Sequence, residues 1–297
     1  MRRVVAVGCL LLLAGCSGFA PAPAAPETPT VTPVSLEGEG TPTGGDSLAP
    51  GLTDRGVTSP LVLANAHATA IETREHSFTH RWRVEFANGT IRGEVRQHVV
   101  AIPSGPFTAN LSVRGRTGII GTRPTVAEFW SNGTEMVERV RTDGANGTER
   151  VSYLYLPREQ YAGGSGFYNS LRRPKPWLDV YVLFDSVDAT VAARQAGERP
   201  NRTVYPVEGT DLRNPDALAA ATGFSDPRNL TLVGAITDRG AILGYRLTFE
   251  ATVEGEQVEV TRDVRYDFRD VTVERPEWYE TAINESVGGS RGSVPSP

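Results

Sequence analysis

The sequence predicts an α+β fold, a curved antiparallel sheet or half-open β-barrel of about eleven strands with helices covering the concave face. Three observations predict it. Apolar and polar residues alternate over long stretches, most clearly between 243 and 268, as in strands with one wet face. Asn88-Gly89 and Asn132-Gly133 separate such stretches in the way hairpin turns do. Helical patterns are few, and the apolar strand faces need them as cover.

The elements follow in order. Ser59 stands where a helix cap belongs and Pro60 suits the first helical position. Leu61, Ala64, Ala68 and Ile71 continue at helical spacing. The period then changes to two. Phe78, His80, Trp82, Val84 and Phe86 alternate with Ser77, Thr79, Arg81, Arg83 and Glu85. After the Asn88-Gly89 turn a return strand runs over about 91–102, and further strands are expected near 107–114, 125–131, 135–142 and 149–156. Gly163, Gly164 and Gly166 mark a loop. Trp177, Val180, Tyr181 and Phe184 share one helical face, although the same run is rich in strand formers. Short strands near 189–194 and 202–207 precede an Ala-rich helix bracketed by Asn214, Pro215 and Gly223. A strand near 229–237 pairs with the next one, in which Leu243, Tyr245, Leu247, Phe249, Ala251 and Val253 face one way. After Gly255, Val258, Val260, Val264, Tyr266 and Phe268 repeat the pattern, with Glu259, Thr261, Asp263, Arg265 and Asp267 on the other face. Pro276-Glu277-Trp278-Tyr279 starts a final short helix, and 288–297 is a polar tail.

Composition narrows the function. The 297 residues are 39% hydrophobic and 22% charged, enough for a sizeable core. Thirty basic and 35 acidic residues give a net charge of -5, which argues against nucleic acid as a partner. Two cysteines, Cys9 and Cys16, make neither a disulfide scaffold nor a four-ligand zinc site.

Arg2 and Arg3 followed by the apolar run Val4–Leu13 have the shape of an export signal, since roughly 20 apolar residues are needed to span a bilayer. From Ser17 to about Arg55 the chain is rich in Pro, Thr, Gly, Ala and Glu, which predicts a disordered tether over 16–56 ahead of a single body over 57–287.

Few residues suggest chemistry. His76 and His80 lie four apart in a strand, about 13 Å at the usual rise, and cannot share a metal ion. His80 is expected in the core or a groove and His67 partly buried on its helix. Ser165 in Gly163-Gly164-Ser165-Gly166-Phe167 misses the nucleophile-elbow pattern at Phe167. Asp185 and Asp188 are carboxylates of a kind any helical surface supplies. No enzyme activity, metal or cofactor is expected. Arg262 is unusual because it falls on the apolar face between Val260 and Val264. It needs a carboxylate, from the fold or from a ligand, unless a bulge turns it outward. Seven sequons, at Asn88, Asn110, Asn132, Asn146, Asn201, Asn229 and Asn284, are candidate glycosylation sites and fit a surface protein.

The residues Leu13-Ala14-Gly15-Cys16 resemble the lipobox of prokaryotic lipoproteins. That resemblance implies cleavage after a signal peptide of residues 1–15, lipidation at Cys16 and a lipid anchor on the extracytoplasmic face of the membrane. With Lys175 the sole lysine, an acid excess and many sequons, the chain also resembles haloarchaeal cell-surface lipoproteins of unknown function, in the stretch from Gly51-Leu52-Thr53 through Ala66-His67-Ala68. The order of elements over 57–287 is similar to the LolA-like lipoprotein carrier fold. It implies a half-open barrel whose concave apolar face receives acyl chains or another lipid. On this reading Phe78, Trp82, Tyr245, Phe249, Arg262, Tyr266 and Phe268 are the candidate ligand-binding residues. A binder should then show an apolar cavity of a few hundred Å³, on the order of known ligand pockets. The alternative is a structural or interaction module of the cell surface with a filled core and no small-molecule ligand.

Overall fold

The computed structural model describes residues 45–103, 105–116, 125–143, 148–161, 176–192, 195–196 and 203–289. The signal segment 1–15, Cys16, the tether up to 44, Asn146, Asn201, the loop around Ser165 and the tail from 290 lie outside the described residues. No helix among the described residues is long and apolar enough to cross a membrane.

A meander of three short strands comes first, β1 (Ser47–Ala49), β2 (Leu52–Thr53) and β3 (Gly56–Val57). Its Ala49, Leu52 and Val57 belong to the main core. The expected tether over 16–56 therefore gives way to folded chain by residue 47, because these scattered apolar residues find a surface to pack on. Gly56 adopts φ +126°, and a Cβ there would stand 2.0 Å from the Ala189 carbonyl oxygen, so glycine is required for this approach.

Helix α1 (Pro60–Thr73) follows, then strands β4 (His76–Phe86), β5 (Ile91–Ala101), β6 (Phe107–Gly115), β7 (Thr125–Ser131), β8 (Met136–Asp143) and β9 (Glu149–Leu156). Pro60 opens α1 as expected, but the Ser59 side chain makes no capping hydrogen bond. Next are the short α2 (Arg158–Tyr161), α3 (Pro176–Ser186), β10 (Val187–Val191), β11 (Gln195–Ala196) and β12 (Thr203–Leu212). The expected strand near 189–194 thus starts at 187, directly where α3 ends. Helix α4 (Pro215–Thr222) has both predicted caps: Asn214 Oδ1 accepts from the Ala217 N–H at 3.1 Å, and Gly223 closes it at φ 74°. Strands β13 (Ser225–Thr237), β14 (Ile242–Val253) and β15 (Glu256–Asp267) and helix α5 (Tyr279–Gly289) complete the chain.

The main sheet runs β10-β12-β13-β14-β15-β4-β5-β6-β7-β8-β9, with β11 paired to β12 off this path. It is antiparallel and does not close, which is the α+β open barrel the alternation predicted. Most neighbours are joined by hairpins. The exception that shapes the molecule is β15 against β4, which joins the last strand to the first long one.

Helices α1, α3 and α4 lie in a row over the inner, apolar face. The fifth helix does not join them. It packs on β8 and β9 with Tyr279 and Ala282 against Trp130 and Val137, a second small core on the outer face. Tyr279 and Tyr155 donate to the two oxygens of Glu135 at 2.6 and 2.8 Å and clasp this helix. The predicted helical cover of the concave face is present, and α5 adds a second cover on the outer face, over Trp130, Tyr153 and Tyr155.

Elsewhere the outer face is a ladder of charges. Glu94 accepts from Arg81 at 2.8 Å and Arg96 at 3.2 Å and also meets Arg114, so its side chain is only 3% exposed. Burial works against its ionisation, but the hydrogen bonds from Arg81 and Arg96 outweigh it and hold its pKa below the usual value.

Candidate functional site

The β4–β15 register sets the inner face. Phe78 stands opposite Tyr266, His80 opposite Val264, Trp82 opposite Arg262 and Val84 opposite Val260. On the other side of β15, Leu247 faces Arg262 and Phe249 faces Val260. Pairing is regular from 256 to 265, so no bulge turns Arg262 away and it points inward with its apolar neighbours.

The end of this face beneath α1 is sealed. Phe78, Tyr266 and Phe268 retain 3%, 8% and 4% exposure. Their rings form a chain, with Phe78 to Tyr266 at 4.7 Å and Tyr266 to Phe268 at 6.0 Å between centroids. His67 comes down from α1 and is fully buried, not just partly buried as expected, because α1 lies with this side chain directly on the sheet. Its Nδ1 accepts from the Ile242 N–H at 3.2 Å, which places the proton on Nε2. Its ring meets Tyr266 edge to face at 4.7 Å. Burial, and then nearby His76, lower its pKa to about 3, so it is neutral.

The other end is not sealed. Between α3, α4 and the sheet lies a cavity of about 120 Å³. Trp82, Phe249 and Val260 line it from the strands, Leu183 from α3 and Leu218 from α4. Trp82 also stacks on Phe224 at 5.8 Å. Arg262 and Asp179 are the charged residues of the wall. Arg262 Nη2 donates to Asp179 Oδ2 at 2.9 Å, and the two side chains are 24% and 39% exposed. The Arg262 guanidinium also lies 5.8 Å from the Tyr245 ring centroid. Burial works against the Arg262 charge, but Tyr245 and Asp179 outweigh it and hold its pKa above the usual guanidinium value. Tyr245 is itself pushed up to about 12 by burial. His80 neighbours this group along β4, and burial followed by the Arg262 charge lowers its pKa to about 3.

The seven predicted ligand residues therefore divide. Trp82, Phe249 and Arg262 line the cavity, whereas Phe78, Tyr245, Tyr266 and Phe268 are buried core side chains outside its wall. The cavity is smaller than expected because α3 and α4 sit close on the sheet. Asp179 was not singled out in the sequence. Its signal is an acidic residue one turn before Leu183, on the apolar side of a helix, which complements an arginine on the apolar side of a strand. Asp185 and Asp188 lie elsewhere, the first near Asn214 and the second paired with Arg213. The five described sequon asparagines, Asn88, Asn110, Asn132, Asn229 and Asn284, are all exposed. Among the described residues no three His, Cys, Asp or Glu side chains converge as a metal site would require.

No protein-family model and no characterised protein matches the sequence. Solved structures give remote likenesses in fold. LprF from Mycobacterium bovis is 14% identical, with 73% of this chain and 96% of that one covered and a TM-score of 0.32. A DUF1329 family protein from Desulfovibrio piger is 13% identical over 75% and 97%, with a TM-score of 0.25. A LolA superfamily protein from Nitrosomonas europaea is 8% identical over 71% and 96%, with a TM-score of 0.20. Likenesses this remote carry no residue role over to this chain.

Proposed function

We propose that this chain is a non-enzymatic lipoprotein, tethered outside the cell membrane through Cys16, that binds a hydrophobic ligand between its sheet and helices α3 and α4 as a carrier or sensor. The observation that supports this reading best is the cavity, which has aromatic residues on its floor and opens beside a single ion pair. Its volume of about 120 Å³ is near that of an engineered apolar cavity of about 150 Å³ that accepts benzene. As it stands it holds one ring or a short length of chain. A longer chain enters as α4 moves outward. That helix has only two turns and a single buried residue, Leu218, so little apolar contact opposes the movement. The export signal, the lipobox-like residues and the exposed sequons support a place on the cell exterior.

Native mass spectrometry of the full chain from a prokaryotic host tests the reading. The expected result is a reproducible co-purified lipid. It should be lost in Ala221→Trp, a substitution at an exposed position on the cavity rim that fills the space without touching the core. A clean apo mass with no uptake on titration overturns the proposal and favours an interaction module of the cell surface.

A further inference from the structure

We infer that the ligand of this cavity is a single-chain amphiphile with a carboxylate head, and that Arg262 receives that head in place of Asp179. This deepens the proposed function and rests on the reading of the cavity as a ligand site.

Three observations carry it. First, Arg262 is only partly used. A guanidinium has five donors arranged to hold a carboxylate with two parallel bonds. Asp179 engages Nη2, while Nε is buried and has no hydrogen-bond partner among the described residues. A buried donor left unpaired on a charged group is costly, so an acceptor that reaches Nε from the cavity would be favoured here. Second, stability does not explain the arginine. An ion pair that solvent reaches on both sides adds little to stability, and the α1 end of the same strands packs well without one. Third, the position suits an exchange. Asp179 is 39% exposed, so it can turn out to water when a second carboxylate arrives. The rest of the wall is largely apolar, from Trp82, Phe249, Val260, Leu183 and Leu218, which fits the chain of the amphiphile. A cationic head would meet the Arg262 charge. A neutral alcohol would be a weaker acceptor for Nε.

The test uses the full chain carrying Cys16→Ala, so that no anchor lipid is added, titrated calorimetrically with decanoate, decanol and decyl phosphate. Decanoate should bind roughly tenfold or more tighter than decanol, the range expected of a charge-assisted hydrogen bond. Arg262→Gln should bring the acid-to-alcohol ratio to within about a factor of two. Asp179→Asn should strengthen decanoate binding several-fold, and it carries the test if Arg262→Gln does not fold. Equal binding of decanoate and decanol overturns the inference but leaves the cavity reading standing. Tighter binding of decyl phosphate than decanoate, or an Asp179→Asn variant that binds decanoate no better than its parent, also overturns it. Binding of none of the three overturns both.

Discussion

Beneath α1, Phe78 and Tyr266 pack around a fully buried His67. Beneath α3 and α4, on the same strands β4 and β15, Trp82 and Arg262 border a cavity. The residues alternate in the same way in both places and the strands are continuous. What differs is the cover. Helix α1 has four turns and places Leu63, Ala64, His67 and Ile71 into the core. Helix α3 buries Val180, Leu183 and Phe184, but α4 beside it has two turns and buries Leu218 alone. A sheet face thus becomes core or site according to how tightly the helices over it pack. Hydrophobic attraction has no direction and does not choose between the two.

The largest effect should come from emptying the sealed end. Phe78→Ala is expected to cost about 3–5 kcal/mol in denaturant unfolding, whereas Trp82→Ala, beside an existing cavity, should cost about 1–2 kcal/mol. Equal costs would mean that the two ends are packed alike. The next effect should come with acid. His67 is held neutral with a pKa of about 3 against 6.5 in the unfolded chain. The unfolded state therefore binds more protons between these values, and stability, fully present above 6.5, falls as pH is lowered toward 3. The loss should be on the order of a few kcal/mol, and His67→Gln should flatten the profile of unfolding free energy against pH. His80, depressed in the same direction, adds to the loss over the same range.

A smaller effect should follow at the open end. Asp179→Asn removes the charged partner of Arg262, but solvent reaches both side chains, so the cost should be about 1–2 kcal/mol and not the larger penalty of a sealed pair. A loss of about 4 kcal/mol would show that the pair is a structural strut. The smallest effect should lie on the far face. Tyr279→Phe removes one hydrogen bond to Glu135 and should cost about 1 kcal/mol by thermal or denaturant unfolding, with ligand uptake unchanged. A change in uptake there would link the outer helix to the cavity.

The sequence by itself determined the strands, the turns and the side of the sheet on which each residue lies. Phe78 through Phe86 and Leu243 through Phe268 alternate so regularly that a slip of one residue would turn every apolar side chain to water. Local chemistry likewise set α4, through Asn214 and Gly223. Arg262 could be recognised as a charge on the wrong face. Its partner and its surroundings could not, because Asp179 lies 83 residues away in the chain. The pairing of β15 with β4 places Trp82 beside Arg262, and only tertiary structure made it, since no turn joins those strands. The same holds for the folded segment at 47–57 and for α5 on the outer face, where composition alone suggested a tether and an ordinary end helix. Periodicity tells each element which face is apolar. Which surface finally covers that face depends on the shapes that remain free when the whole chain has collapsed.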